Sequence, residues 1–271
     1  MFEVGIIGAG KIGSGIIKGL VEKKAFKGDS IILSDVSENI LNPIKEEYGI
    51  QISLNNRDVF SSSNIIILAV KPNLIAPVLD SVKNLNLKGK LVVSVAAGVP
   101  IKFIENMAPS IPVIRVMPNI SLSIGFSPSC YSVGKYVTQE NENEFKKIFH
   151  NLGSVIKVNE IQMDAVTGLS GSGPAYVFLF MKALAEGGIK AGLSEEISKK
   201  LAMDTLYGAV LMANKTGKEF DELISMVKTP GGTTEKGLLE LNKYLFEEAI
   251  IEAVKKATER SKELGEVYGK C

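Results

Sequence analysis

An α/β sheet domain followed by an all-helical domain is what the sequence predicts, and three observations predict it. Short apolar runs at residues 2–7, 31–33, 64–70, 91–95 and 113–116 alternate with stretches of helical length. The run at 64–70 (Asn-Ile-Ile-Ile-Leu-Ala-Val) is almost wholly apolar, as a strand covered by helices on both faces must be. From Glu160 onward the strand runs stop and Ala- and Leu-rich helical sequence continues to the end, which sets the expected domains at residues 1–159 and 160–271.

The first strand runs directly into Gly8-Ala9-Gly10-Lys11-Ile12-Gly13, and helix-compatible sequence follows from Ser14 to Lys24. In a strand, turn and helix of this kind the first glycine permits a tight reversal and the second lets backbone approach a pyrophosphate. The third lets the helix lie on the strand, while the helix N-terminus offers unpaired N–H groups to an anion. Gly8 to Gly13 therefore predict a dinucleotide site; a purely structural glycine turn is the alternative. The second run ends at Ser34 and Asp35, and Asp35 follows Gly13 by 22 residues. An acidic side chain there accepts hydrogen bonds from ribose hydroxyls and repels a 2′-phosphate, which favours NADH over NADPH. The competing reading is a helix cap, a task Ser37 can also fill.

Three further strand endings complete the expected rim. Residues 64–70 stop at Lys71-Pro72-Asn73 before a helix over 74–83, residues 91–95 stop at Ala96-Ala97-Gly98, and residues 113–116 stop at Met117-Pro118-Asn119. Open α/β sheets bind ligands at the carboxyl ends of their strands, so Lys71, Ala96 and Gly98 should face the cofactor, although a lysine at a strand end is equally often just solvated. A strand through 130–133, a charged helix over 138–151 and a strand at 155–158 close a Rossmann-type doubly wound sheet.

In the second domain, Val177, Phe180, Met181, Leu184 and Ala185 recur at helical spacing in a segment, residues 175–185, that is apolar almost all round. Such a helix has no face suited to water and must be buried, and a small domain does this best against a second copy, which predicts a homodimer or larger homo-oligomer. Two polar, glycine-rich stretches, residues 168–175 and 228–234, look like anion cradles. In the second, a Pro-Gly-Gly turn enters a helix at Glu235, so that the N–H groups of Gly232, Thr233 and Thr234 would converge on a small carboxylate. As a plain turn, the same stretch would make Thr233 the helix N-cap.

Composition narrows the function classes. At 271 residues, 45% hydrophobic and 23% charged, the chain can bury a large core, and 31 basic against 30 acidic residues leave no global field for nucleic acid or an anionic membrane. The absence of a membrane-length apolar run and a first strand starting at Phe2 predict a cytoplasmic protein. Cys130 and Cys271 alone suit neither a disulfide framework nor a metal cluster, and no metal is expected. The single histidine, His150, lies in a charged stretch and is expected at the surface.

Ala69-Val70-Lys71-Pro72, Ala96-Ala97-Gly98, Arg115-Val116-Met117-Pro118-Asn119, Gly171-Ser172-Gly173-Pro174-Ala175-Tyr176 and Thr229-Pro230-Gly231-Gly232-Thr233-Thr234, taken together and in order along the whole chain, resemble the pyrroline-5-carboxylate reductases. That family has a Rossmann domain and an all-α dimerisation domain, and it reduces a cyclic imine with NAD(P)H to give L-proline, the last step of proline biosynthesis. The resemblance implies cofactor contacts at Gly8 to Gly13, Asn56, Ala69 to Pro72 and Ala96 to Gly98, to which the strand-end reading adds Ser34, Asp35 and Met117 to Asn119. It implies substrate contacts at Glu160, Ser172, Gly173, Thr229 and Gly231 to Thr234, with Thr234 facing the imine nitrogen. Asp35 departs from the neutral or basic residue of NADP-preferring members. The chemistry suits a chain poor in ionisable site groups, because hydride addition to a protonated imine needs positioning rather than a nucleophile or metal. Two rivals are a β-hydroxyacid dehydrogenase, which would need a lysine where Val177 stands, and a non-catalytic NAD-binding protein, which has no use for a carboxylate cradle.

Overall fold

The computed structural model describes residues 1–269. The first part of the chain runs β1 (Phe2–Ile7), α1 (Lys11–Glu22), β2 (Ile31–Ser34), α2 (Glu38–Tyr48), β3 (Gln51–Ser53), α3 (Asn56–Ser62), β4 (Ser63–Leu68), α4 (Ile75–Val82), β5 (Leu91–Ser94), α5 (Ile101–Met107), β6 (Val113–Met117), β7 (Ser129–Val133), α6 (Gln139–Phe149) and β8 (Val155–Lys157). Helices follow: α7 (Met163–Val166), α8 (Gly173–Lys190), α9 (Glu195–Thr216), α10 (Phe220–Val227), α11 (Thr233–Lys243) and α12 (Phe246–Gly269).

The strands form one sheet in the order β3-β2-β1-β4-β5-β6-β7-β8, parallel except where β6 meets β7. The order reverses beside β1, so the carboxyl ends of β1 and β4 flank the point where such sheets open a ligand crevice. Strand periodicity divides the apolar runs between two layers. Val4, Ile6, Ile65, Ile67 and Val93 enter one core with Ile16, Ile17 and Leu20 of α1, while Ile7, Ile66, Leu68 and Val92 enter the other with Val59 and Leu79. β3 was absent from the sequence expectation because Gln51-Ile52-Ser53 is short and half polar, as an edge strand can be.

One buried polar group locks α6 to the sheet. Glu142 accepts hydrogen bonds from Tyr131 Oη at 2.7 Å and Lys157 Nζ at 2.6 Å, and Lys146 Nζ lies at 2.8 Å. These hydrogen bonds, Lys146 first and then Lys157 and Tyr131, hold the carboxyl down to a pKa of about 2 against desolvation that opposes them. Since the folded value lies below the ordinary 4.5, the stabilisation is complete above that pH and is lost as pH falls towards about 2. Glu142→Gln is therefore expected to lower unfolding free energy by about 2 kcal/mol at neutral pH and to flatten the acid limb, read by denaturant melts across that window.

The chain forms two compact units, Met1–Ser172 together with the chain from Lys255 onward, and Gly173–Val254. These units divide the chain after Ser172 rather than at Asn159, where the sequence changes character, and two packing features account for the difference. Met163 of α7 is fully buried against Met117 and Cys130 of the sheet, and the last turns of α12 pack on the first unit. Cys271 lies outside the described residues, and with it half of the cysteine expectation; Cys130 is buried.

The second unit has little core of its own. α8 and α9 approach closely at Gly188, where a Cβ would stand 2.8 Å from Ser198 Oγ, and Ala185 and Ala202 are buried. The remaining large apolar side chains of α8 are not covered as its composition demands: Phe178 is 59% and Leu179 67% exposed. No helix among the described residues is long and apolar enough to cross a membrane.

Candidate active site

At the turn from β1 to α1 the backbone needs glycine for two separate reasons. Gly8 has φ +104°, and Gly13 lies so close to Gly8 O that a Cβ there could not be placed. Gly10 differs: nothing comes within 4 Å of the Cβ it lacks, so its face is open. Gly10 is also the N-cap of α1, without a capping side chain, which leaves the amides of Lys11 and Ile12 to an outside acceptor. The residues present therefore fit a pyrophosphate. Asp35 lies on the same turn, its Oδ2 accepting from Ala9 N at 2.8 Å, and Ser34 Oγ donates to Asn56 Oδ1 at 2.9 Å. Asp35 does not cap α2, whose N-cap is Ser37. Ala69 joins the group through its N–H to Ile7 O at 2.8 Å and its carbonyl packed on Gly8, with Val70 beside it, while Lys71 is exposed and Pro72 opens a short 3-10 turn.

The rim expectation holds less well further along. Met117 and Asn119 are buried, and Asn119 is engaged throughout by the protein: its N–H donates to Ser127 Oγ at 2.9 Å, its Oδ1 accepts from Ser121 N at 3.0 Å and its Nδ2 donates to Ser170 O at 3.2 Å. The last bond has a covalent cause. Pro174 lacks the N–H that would have closed the helical bond to Ser170 O, and Asn119 supplies a donor instead.

That arrangement also corrects the reading of residues 168–175 as an open cradle. Thr167–Gly171 is a π-helical turn running from α7 towards α8, and Ser172 N–H is already given to Thr167 O at 3.0 Å. Wide turns of this kind recur at functional sites. Ser172 ends the first unit and Gly173 opens the second. Glu160, expected beside the substrate, has a task within the first unit: its Oε1 accepts Ile101 N at 2.7 Å at the start of α5 and pairs with buried Arg115 Nη1 at 3.3 Å.

In the second unit the Pro-Gly-Gly turn enters α11 with two corrections. Gly232 N–H is not free, because it donates to Thr229 O at 2.9 Å. Thr233 is not the N-cap; Gly232 is, and Thr233 is the first helical residue. The amides of Thr233 and Thr234 remain as the outward-facing donors of α11, with the positive end of the helix dipole behind them. Gly231, at φ +71°, gives its N–H to Glu235 Oε2 at 2.8 Å, which braces the turn. Thr234 also lines an apolar cavity of about 640 Å³ among α9, α10 and α11, walled by Val210, Ala213, Phe220, Ile224 and Leu238. No three His, Cys, Asp or Glu side chains among the described residues come together to hold a metal ion.

A family model described as pyrroline-5-carboxylate reductase dimerisation matches residues 160–264, and one described as coenzyme F420-dependent NADP oxidoreductase matches residues 3–98. The pyrroline-5-carboxylate reductase of Methanosarcina acetivorans is 40% identical over 264 residues, covering 97% of this chain and 98% of its own. That of Arabidopsis thaliana is 37% identical over 265 residues, covering 98% and 96%. A crystal structure of Plasmodium falciparum pyrroline carboxylate reductase with NADP bound matches with a TM-score of 0.90 at 31% identity, over 97% of this chain and 98% of that one. Identity at this level through the full length of the relatives, not through the nucleotide turn alone, places the chain in the pyrroline-5-carboxylate reductase family.

Proposed function

We propose that the chain reduces 1-pyrroline-5-carboxylate to L-proline with NADH or NADPH. The observation that carries this reading is identity to the reductases over both compact units, with the residues of the glycine turn fitting a dinucleotide. The bound cofactor supplies a hydride to the imine carbon. The chain's own work is binding and orientation: Gly10 and the first amides of α1 take the pyrophosphate, and Asp35 offers the ribose the oxygen that Ala9 does not use. Asn56, Ala69 to Pro72 and Ala96 to Gly98 complete the cofactor surface. The amides of Thr233 and Thr234, braced by Thr229 and Gly231, hold the substrate carboxylate, and the Thr234 hydroxyl accepts from the protonated imine nitrogen. Hydride addition then leaves a neutral amine, so no further proton is required. Effective-molarity arguments value such positioning at roughly 7–11 kcal/mol of barrier. Loss of NADH absorbance with pyrroline-5-carboxylate, and none of NAD reduction with a 3-hydroxyacid, is the expected assay result; the reverse would assign the chain to the hydroxyacid dehydrogenases.

Asp35 makes NADH the favoured cofactor, although the Plasmodium relative was solved with NADP. Asp35→Ser is expected to shift the ratio of kcat/KM for NADPH over NADH upward by about tenfold or more, since a carboxylate a few ångströms from a 2′-phosphate repels it. A wild-type chain already preferring NADPH tenfold would overturn the assignment. The exposed apolar faces of the second unit and the match to a dimerisation family support a homodimer or larger homo-oligomer. The same reading takes the chain as cytoplasmic, with the small-molecule substrate rather than nucleic acid or membrane as its partner.

A further inference from the structure

The end of the chain returns to the first unit along one face of α12. Ser261, Gly265 and Tyr268, spaced i, i+4 and i+7, make the contact. Ser261 Oγ donates to Asp164 Oδ1 at 2.7 Å, and the Tyr268 ring stands edge-on to Phe103 of α5 with centroids 4.9 Å apart. Between them backbone meets backbone. A Cβ on Gly98 would lie 3.0 Å from Gly265 N, and a Cβ on Gly265 would lie 2.8 Å from Gly98 O. Gly98 itself has φ +75°, so the helix rests on the bend of the loop after β5.

A second route joins the same helix to the other end of that loop. Asp164, held by Ser261, faces Arg115 Nη2 at 3.8 Å, which is an ion-pair distance and too long for a hydrogen bond. The Arg115 side chain, only 5% exposed, pairs with Glu160, and Glu160 accepts the N–H of Ile101. A buried guanidinium between two carboxylates has few alternative arrangements, because displacing either leaves a charge unpaired in the interior. The loop from Ala96 to Pro100 is therefore gripped at Gly98 by direct packing and at Ile101 through buried charge.

We propose that the last turns of α12 are a positioning element for the cofactor, with Gly265 and Ser261 its effective residues and Arg115 its hub. The inference rests on the reading of Ala96 to Gly98 as cofactor contacts. In full-length protein, Gly265→Ala is expected to raise Kd and KM for NADH about tenfold and to lower the melting temperature modestly, since the added methyl must displace the Gly98 backbone, while KM for pyrroline-5-carboxylate stays near wild type. Gly269→Ala, on the same helix but with nothing within 4 Å, should leave all four values unchanged. Ala97→Val probes the loop directly. Weakened NADH binding in Ala97→Val with wild-type binding in folded Gly265→Ala would overturn the positioning role and leave the loop assignment standing. Wild-type binding in both would remove the loop assignment and the inference together. Should Gly265→Ala fail to fold, Ser261→Ala decides in its place: about threefold weaker NADH binding at unchanged substrate KM supports the role, and unchanged binding rejects it.

Discussion

Leu179→Lys in α8 is expected to leave the chain a folded monomer at micromolar concentration, where the unaltered chain is expected to be a homodimer. Leu179 is 67% and Phe178 59% exposed within one chain, on a helix where polar residues are almost absent from residue 175 to 185. Apolar surface of this extent facing water has to be covered, and the closed arrangement that covers it without leaving a new sticky edge is a two-fold pair. Two-fold symmetry places each substitution in the interface twice, so one mutation buries two unpaired ammonium groups. At even about 2 kcal/mol for each, the dimer constant weakens by about a thousandfold. Sedimentation velocity reads the change, and circular dichroism checks that the helices persist. A wild-type chain that sediments as a monomer would reject the dimer outright. A cut at Asn159 is a poor alternative test, because it separates Glu160 from Arg115 and Met163 from Met117.

The sheet was legible because its signal is local. Continuous apolar runs identify covered strands, parity assigns each residue to one of two layers, and a glycine turn between strand and helix needs only neighbours in sequence to be recognised. The misses share a different cause. β3 is three residues long and half polar, and what makes it a strand is pairing with β2, which no local pattern states. Residues 168–175 carry the glycines and serines of a turn, yet they continue a helix, because Asn119, distant in sequence, satisfies the carbonyl that Pro174 cannot. The return of α12 is written in Ser261, Gly265 and Tyr268, three positions that make no apolar stripe. A glycine in a helix at that spacing is the available hint that backbone comes close there, and Gly98 is its partner. Thr233 and Thr234 were both visible as candidates, but which of them caps the helix depends on where α11 begins, and that is fixed by the turn at Gly231 and the brace from Glu235.

Thr234→Val is expected to lower kcat/KM for the imine by 10- to 100-fold, about 1.5–3 kcal/mol of lost stabilisation, while Kd for the cofactor does not move. The substitution keeps the branched shape and removes only a hydroxyl, and at the second residue of α11 the backbone amide stays in place to hold the carboxylate. The loss should fall mainly on kcat if, as proposed, the hydroxyl orients the ring nitrogen and the amides supply most of the ground-state grip. Thr233→Val is the comparison. Thr233 is the first residue of the helix and makes no capping bond, so its side chain should be nearly silent in stability, in contrast with the roughly 1 kcal/mol that a true N-cap threonine contributes. Activity retained in Thr234→Val and lost in folded Thr233→Val would exchange the two assignments. Equal loss in both would mean that the valines disturb the turn itself, and melting curves separate that case from the chemistry: a disturbed turn lowers the melting temperature of both variants, whereas removal of a catalytic hydroxyl leaves it where it was.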